Sequence, residues 1–310
     1  MSKLRPLSVL DKLDLVLALA REQHFGRAAE ACGITQPTLS AGLKALEDAL
    51  GLLIVRRSSR FQGFTPEGER ILGWARRIVG DAEAMHQEVD ALKRGLGGHL
   101  RLAVIPTALP MVARLTTPFR ALHPGVRFTV LSRTSVEILH LLENLEIDAG
   151  LSYLDNEPLG HVRTVPLYDE RYRLLTARDG PLGQRAMVTW AEVGQLPLCL
   201  LTPDMQHRRI VDHLLQGAAI DAEPTLVSNS TIVLLSHVRT GYWSSVLPPI
   251  LADGIGLPPN VASIPIVEPD VTHAVGLIVP RRDVTAPIVT ALLQVVRDLG
   301  RALAAEMPAR

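Results

Sequence analysis

Three residues suggest chemistry by type alone: His207, Asp212 and His213, a candidate metal site or acid–base pair. On a helix, positions six apart do not share a face. No H-E-x-x-H, G-x-S-x-G or phosphate-binding glycine loop accompanies them. The two cysteines offer redox chemistry instead. Cys199 lies in the apolar run 196–201 with no second cysteine nearby to resolve a sulfenic acid, and Cys32 lies in a short helix. Both read as small buried residues. The expectation is no catalytic residue, no metal ligand, no cofactor and no enzyme. What remains is recognition. Arg56, Arg57 and Arg60 stand together with no acid between 49 and 66, a cluster able to neutralise backbone phosphates and make binding salt-dependent. Ahead of them Gln36, Thr38, Ser40, Ala41 and Lys44 recur on one helical face, all small or hydrogen-bonding.

The elements that must position these groups are legible around them. Residues 10–20 form an apolar first helix. Ala28, Ala29 and Ala31 make a short second helix that another helix can approach closely, ended by Gly33 in the left-handed conformation. Thr35 is an N-cap for the next helix and Pro37 falls in its first turn. Leu39, Leu43, Leu46 and Leu50 then bury the face opposite Gln36 and Ser40. That is a helix-turn-helix whose second helix fits a major groove, followed by a short strand over 53–55 and a basic wing. From 66 to 94, Ile71, Ala75, Ile78, Ala82, Met85, Val89 and Leu92 recur at alternating four and three, a heptad seam for pairing with a second copy.

The remainder reads as α/β. Gly95, Gly97 and Gly98 break the long helix, and strands and helices then alternate through 99–151 as in a parallel, doubly wound layer. Residues 165–167 look like a crossing into a second half and 264–280 the way back, with 287–303 a final helix. Ligands of such layers bind beyond the carboxyl ends of the strands. Those ends give Pro106, Thr107, Arg133, Thr134, Ser135, Thr202, Gln206, His207, Ser228 and Ser230. Helix starts, hydroxyls and cations there suit a small carboxylate effector. Each hydroxyl taken alone reads equally as a helix cap, and Arg208 and Arg209 equally as solvated charges. Trp74, Trp190 and Trp243 read as packing residues.

The whole composition constrains this picture. A chain of 310 residues accommodates two or three domains. Its net charge is +0, so attraction to nucleic acid must come from local clusters. Asp11, Lys12 and Asp14 interrupt the pattern of a signal peptide, and no apolar run reaches transmembrane length, so a cytoplasmic protein away from the membrane is expected.

Ala28-Ala29, Thr35-Gln36-Pro37, Ser40, Leu43, Leu46-Glu47, Leu50-Gly51, Arg57, Thr65 and Gly68 together resemble the DNA-binding domain of the LysR-type transcriptional regulators. The likeness is close over the first 68 residues and looser beyond. It implies a winged helix-turn-helix over 1–65, a linker or dimerisation helix over 66–97, and a periplasmic-binding-protein-like effector domain over 98–310. Within the last, one subdomain would hold 98–165 and 268–310, and the other 166–267. The resemblance further implies that Thr35, Gln36, Pro37, Thr38, Ser40, Lys44, Arg56, Arg57 and Arg60 lie at double-stranded DNA. It also implies a dimer of dimers that answers a small molecule and contacts RNA polymerase. A redox- or ligand-independent regulator, or an enzyme-like domain fused to a DNA-binding module, are the alternatives.

Overall fold

The structure, a computed structural model, describes residues 7–56, 60–220 and 222–306. The chain forms two compact units. The first is built on residues up to Gly95, with the short segments Glu143–Glu146 and Arg282–Pro287, and the second holds the rest.

In the first unit four helices follow one another: α1 (Val9–Glu22), α2 (Phe25–Ala31), α3 (Gln36–Leu50) and α4 (Pro66–Arg94). Ser8 and Asp11 close a reciprocal capping box at the start of α1. Gly33, at φ 68°, turns the chain out of α2. Val16, Leu17, Leu39, Leu43, Leu46 and Leu72 share one core. α3 seats so closely that a Cβ on Gly42 would lie 2.5 Å from Leu15 Cδ1. The strand expected at 53–55 is reduced to a single bridge, Val55 to Phe64. The reason is local: the buried Glu47 carboxylate accepts from the Ile54 and Val55 N–H groups at 2.8 and 3.1 Å, so both donors are spent on a side chain.

The second unit consists of two α/β layers. The first contains β1 (Gly97–Val104), α5 (Met111–Leu122), β2 (Gly125–Ser132), α6 (Ser135–Glu143), β3 (Ala149–Tyr153) and β4 (Val162–Glu170). The chain then builds β5 (Arg173–Ala177), β6 (Val188–Thr189), α7 (Trp190–Val193), β7 (Cys199–Leu201) and α8 (Gln206–Gly217). Next come β8 (Leu226–Ser228), α9 (Thr231–Val238), β9 (Ser245–Leu247), α10 (Pro249–Ile255) and β10 (Val261–Val267). It returns to the first layer with β11 (His273–Pro280) and α11 (Pro287–Glu306). The first sheet runs β2-β1-β3-β11-β4, and the second layer has a sheet β6-β10-β5-β9 and the pair β7-β8. β1, β2 and β3 are parallel, whereas β11 is antiparallel to both β3 and β4.

One sequence expectation needs correction here. The break expected at 165–166 falls inside β4, which stays paired to β11 as far as Glu170, so the chain crosses at 171–172. Pro166 suggested a turn, but it sits at a register shift of the β11–β4 ladder, where its missing N–H is tolerated. Before β3 the left-handed residue is Leu145, at φ 60°, and its neighbour Asn144 is buried and accepts a hydrogen bond from Arg76.

Candidate functional site

The exposed face of α3 carries Gln36, Pro37, Ser40, Ala41 and Lys44, with Thr38 half-buried beside them. Thr35 holds the extended backbone of an N-cap, yet its hydroxyl pairs with Thr38 Oγ1 at 2.8 Å and caps no N–H. Both hydroxyls retain capacity for a further partner. A groove of about 210 Å³ runs between α3 and the wing, lined by Phe25, Ser40, Leu43, Lys44, Glu47, Val55 and Arg56. It brings Ser40, Lys44 and Arg56 together. Arg56 donates to the Phe64 carbonyl at 3.2 Å, Arg60 is exposed, and Arg57 lies outside the described residues.

The heptad seam divides in two. Ile71 packs against the core of the first unit, and Ala75 is fully buried in it, so these two positions turn inward, contrary to expectation. α1 covers the first turns of α4 and claims them. Ile78, Met85, Val89 and Leu92 are exposed, with Ala82 half-buried between them. Trp74 is no packing residue: it is 55% exposed, with the Arg77 guanidinium 5.0 Å above its ring. Trp190, by contrast, is fully buried.

In the second unit the strand ends form two adjoining cavities. An outer cleft of about 460 Å³, open to solvent, is lined by Pro106, Arg133, Thr134, Glu137, Asp204, Asn229 and Ser230, among others. An inner pocket of only about 10 Å³ is lined by Ile105, Pro106, Thr107, Thr134, Ser135, Tyr153, Leu201, Met205, Gln206 and His207. Thr134 and Glu137 form a capping box at α6, at 2.8 and 3.2 Å. Thr202 and Ser228 line neither cavity: the Thr202 hydroxyl is buried, and Ser228 Oγ accepts from Ser230 N–H at 3.1 Å.

The cations expected to serve an anion are engaged elsewhere. Arg208 is buried on Asp212 at 2.7 Å and the Leu201 carbonyl at 2.8 Å. Arg209 holds Glu157 at 2.7 Å and the Asp204 carbonyl at 2.7 Å, and Ser135 donates to that same Glu157 at 3.3 Å. Arg133 shares the outer cleft with the carboxylates of Glu137 and Asp204. Sequence reasoning overlooked Tyr153, Met205 and Glu157. Tyr153 ends β3, so the rule that found Thr107 at the end of β1 would have found it.

Behind the pocket lies a buried titratable cluster. Tyr153 and Tyr168 donate to Glu170, the latter at 3.3 Å. Burial pushes the Glu170 carboxyl up to about 7, and the two phenol donors moderate the rise. Burial, reinforced by His273, pushes His207 down to about 3, so the ring is neutral. The Tyr172 ring lies tilted 5.6 Å from His207 and edge-on 5.9 Å from His273. Cys199 is fully buried, its thiol pushed up to about 11 by burial. Among the described residues no group of three His, Cys, Asp or Glu could hold a metal ion, and no helix is long and apolar enough to cross a membrane.

Comparison with known proteins matches both units. Residues 10–69 match the bacterial regulatory helix-turn-helix protein of the lysR family, and residues 93–301 match the LysR substrate binding domain. A probable hydrogen peroxide-inducible genes activator of Streptomyces viridosporus is 31% identical, over 83% of this chain and 78% of its own length. A probable nitrogen assimilation transcriptional activator of Synechococcus elongatus is 27% identical over 93% of this chain and 94% of its own. Among solved structures, a full-length OxyR variant of Pseudomonas aeruginosa superposes with a TM-score of 0.73 at 28% identity, covering 94% of this chain and 96% of that one. With an α3 face free for DNA and two α/β layers around a pocket, the chain belongs to the LysR family of DNA-binding transcriptional regulators with an effector-binding domain.

Proposed function

We propose that α3 enters the major groove of double-stranded DNA, with Gln36, Thr38 and Ser40 at base edges and Thr35, Pro37 and Lys44 flanking them. Arg56, Arg57 and Arg60 take the phosphates. The observation that carries this reading is the single groove on which Ser40, Lys44 and Arg56 converge, because base readout and phosphate anchoring must share one docking geometry. The exposed half of the α4 seam, Ile78 to Leu92, pairs two copies, and two such dimers assemble on DNA and act on RNA polymerase. A small molecule bound in the outer cleft changes the DNA contacts. It does so by binding one arrangement of the two layers better than another. Some relatives are named as hydrogen peroxide-inducible genes activators, but the burial and raised pKa of Cys199 argue against a response through that thiol here.

Titrating operator DNA against salt tests the interface. Arg60→Ala is expected to weaken binding to every sequence and to lower the salt slope by about one per DNA-binding head. Gln36→Ala is expected to lose about 1–3 kcal/mol of discrimination at one base position and little on random DNA. Equal losses for Gln36→Ala on specific and random DNA would remove that residue from base readout.

A further inference from the structure

We infer that α6 carries the state of the outer cleft to α4, and so to the DNA-binding head. This rests on the effector reading above and names the route by which that cleft acts on DNA. At the start of α6, Thr134 and Glu137 line the cleft. The Ser135 hydroxyl donates to Glu157 at 3.3 Å, and Glu157 in turn accepts from Arg209 of α8 at 2.7 Å. The first turn is thereby bonded across to the second layer. The body of the helix is fixed by burial of Ile138 and Leu142, and a Cβ on Gly150 of β3 would lie 2.3 Å from Ile138 Cγ2. Seated this closely on the sheet, α6 moves as a unit, and its nine residues span about 13 Å.

Its other end is seated on α4, where residues Glu143–Glu146 belong with the first unit. Asn144, only 1% exposed, accepts from Arg76 Nη2 at 2.9 Å, and the Glu143 carboxylate lies 3.9 Å from the same guanidinium. Leu145 is buried in the core that also holds Leu72, Ala75 and Val79 of α4. The backbone there is strained to make this fit. At φ 60° Leu145 holds a left-handed conformation that a leucine rarely adopts, and such a conformation persists only where its surroundings fix it. Glycine would suit the backbone and lose the plug, so the side chain's hold on α4 is what the strain maintains. Arg282 meets α4 one turn further on, where a Cβ on Gly80 would lie 2.2 Å from its Nη1. That segment joins β11 to α11, and none of its residues lines the outer cleft. Of the two segments seated on α4, only that of α6 leads to the cleft.

A double-mutant cycle on operator affinity, with the full-length protein and no effector added, tests the route. Glu157→Ala severs the tie at the cleft end and Arg76→Ala the tie at the α4 end. Glu157→Ala is expected to change the operator Kd by about threefold or more while Arg76 is present, and to leave it unchanged in the Arg76→Ala background. An equal fold-change in the two backgrounds, or none while Arg76 is present, would overturn the inference. Leu145→Gly relieves the strained backbone and withdraws only the side chain. It replaces Arg76→Ala in the cycle, with the same expected and overturning results, if the alanine variant melts early. A coupled cycle in a protein whose melting temperature rises with no small carboxylate or amino acid would uphold the route and count against the effector reading alone.

Discussion

Glu170, pushed up to about 7, holds its proton in the folded chain from about pH 4.5 to 7, where the unfolded chain has lost it. The native state thus binds more protons, and this group's stabilisation is full below 4.5 and lost as pH rises toward 7. His207 works the other way. Pushed down to about 3, it stays neutral when folded, while the unfolded ring takes a proton below about 6.5, so its contribution is full above 6.5 and lost as pH falls. Between about pH 4.5 and 6.5 the two slopes, each about 1.4 kcal/mol per pH unit, nearly cancel. Urea unfolding across that range is expected to show Glu170→Gln losing stability steeply on acidification and His207→Gln gaining it. Parallel profiles for wild type and both variants would mean that neither group titrates as its burial dictates.

At the scale of elements, patterns decided by one segment are legible in the sequence and patterns decided by a neighbour are not. The 66–94 helix, the Gly33 turn and the Thr134–Glu137 capping box follow from propensity and local hydrogen bonding, and all three stand in the structure. The heptad at Ile71 and Ala75 is equally visible, but α1 buries that part of the helix, which no periodicity within 66–94 reveals. Likewise β4 is unreadable near Pro166 without its partner β11, and the wing strand gives way to Glu47, seven residues before the N–H it captures. The α4–wing contact is also a matter of fit. A Cβ on Gly68 would lie 2.0 Å from the Ile54 carbonyl oxygen, a backbone atom held in place by the Thr65 N–H at 2.9 Å. Gly68→Ala is expected to destabilise the first unit by roughly 1–3 kcal/mol, measured by its thermal transition, because wing or helix must move. A melting temperature equal to wild type would show that the wing accommodates the methyl freely.

For the molecule as a whole, assembly separates the two halves of the α4 seam. Met85→Asp combined with Leu92→Asp is expected to reduce the mass in sedimentation velocity toward that of one 33.7 kDa chain while leaving the fold intact. Ala75→Asp is expected to unfold the first unit instead, since its methyl is fully enclosed there. Intact oligomers in the double variant would move the pairing surface elsewhere. The two layers of the second unit have a consequence of a different kind. Strands β5, β9 and β10 of the second layer are all made before residue 268, whereas β3 and β4 of the first wait for β11, where Tyr153 meets Val275. During synthesis the ribosome therefore releases a second layer with its four-stranded sheet complete and a first layer still open along β3, with β4 unpaired. That unfinished edge, and not the pocket or the DNA-binding head, is where a nascent copy of this regulator is most exposed to misassociation with its neighbours.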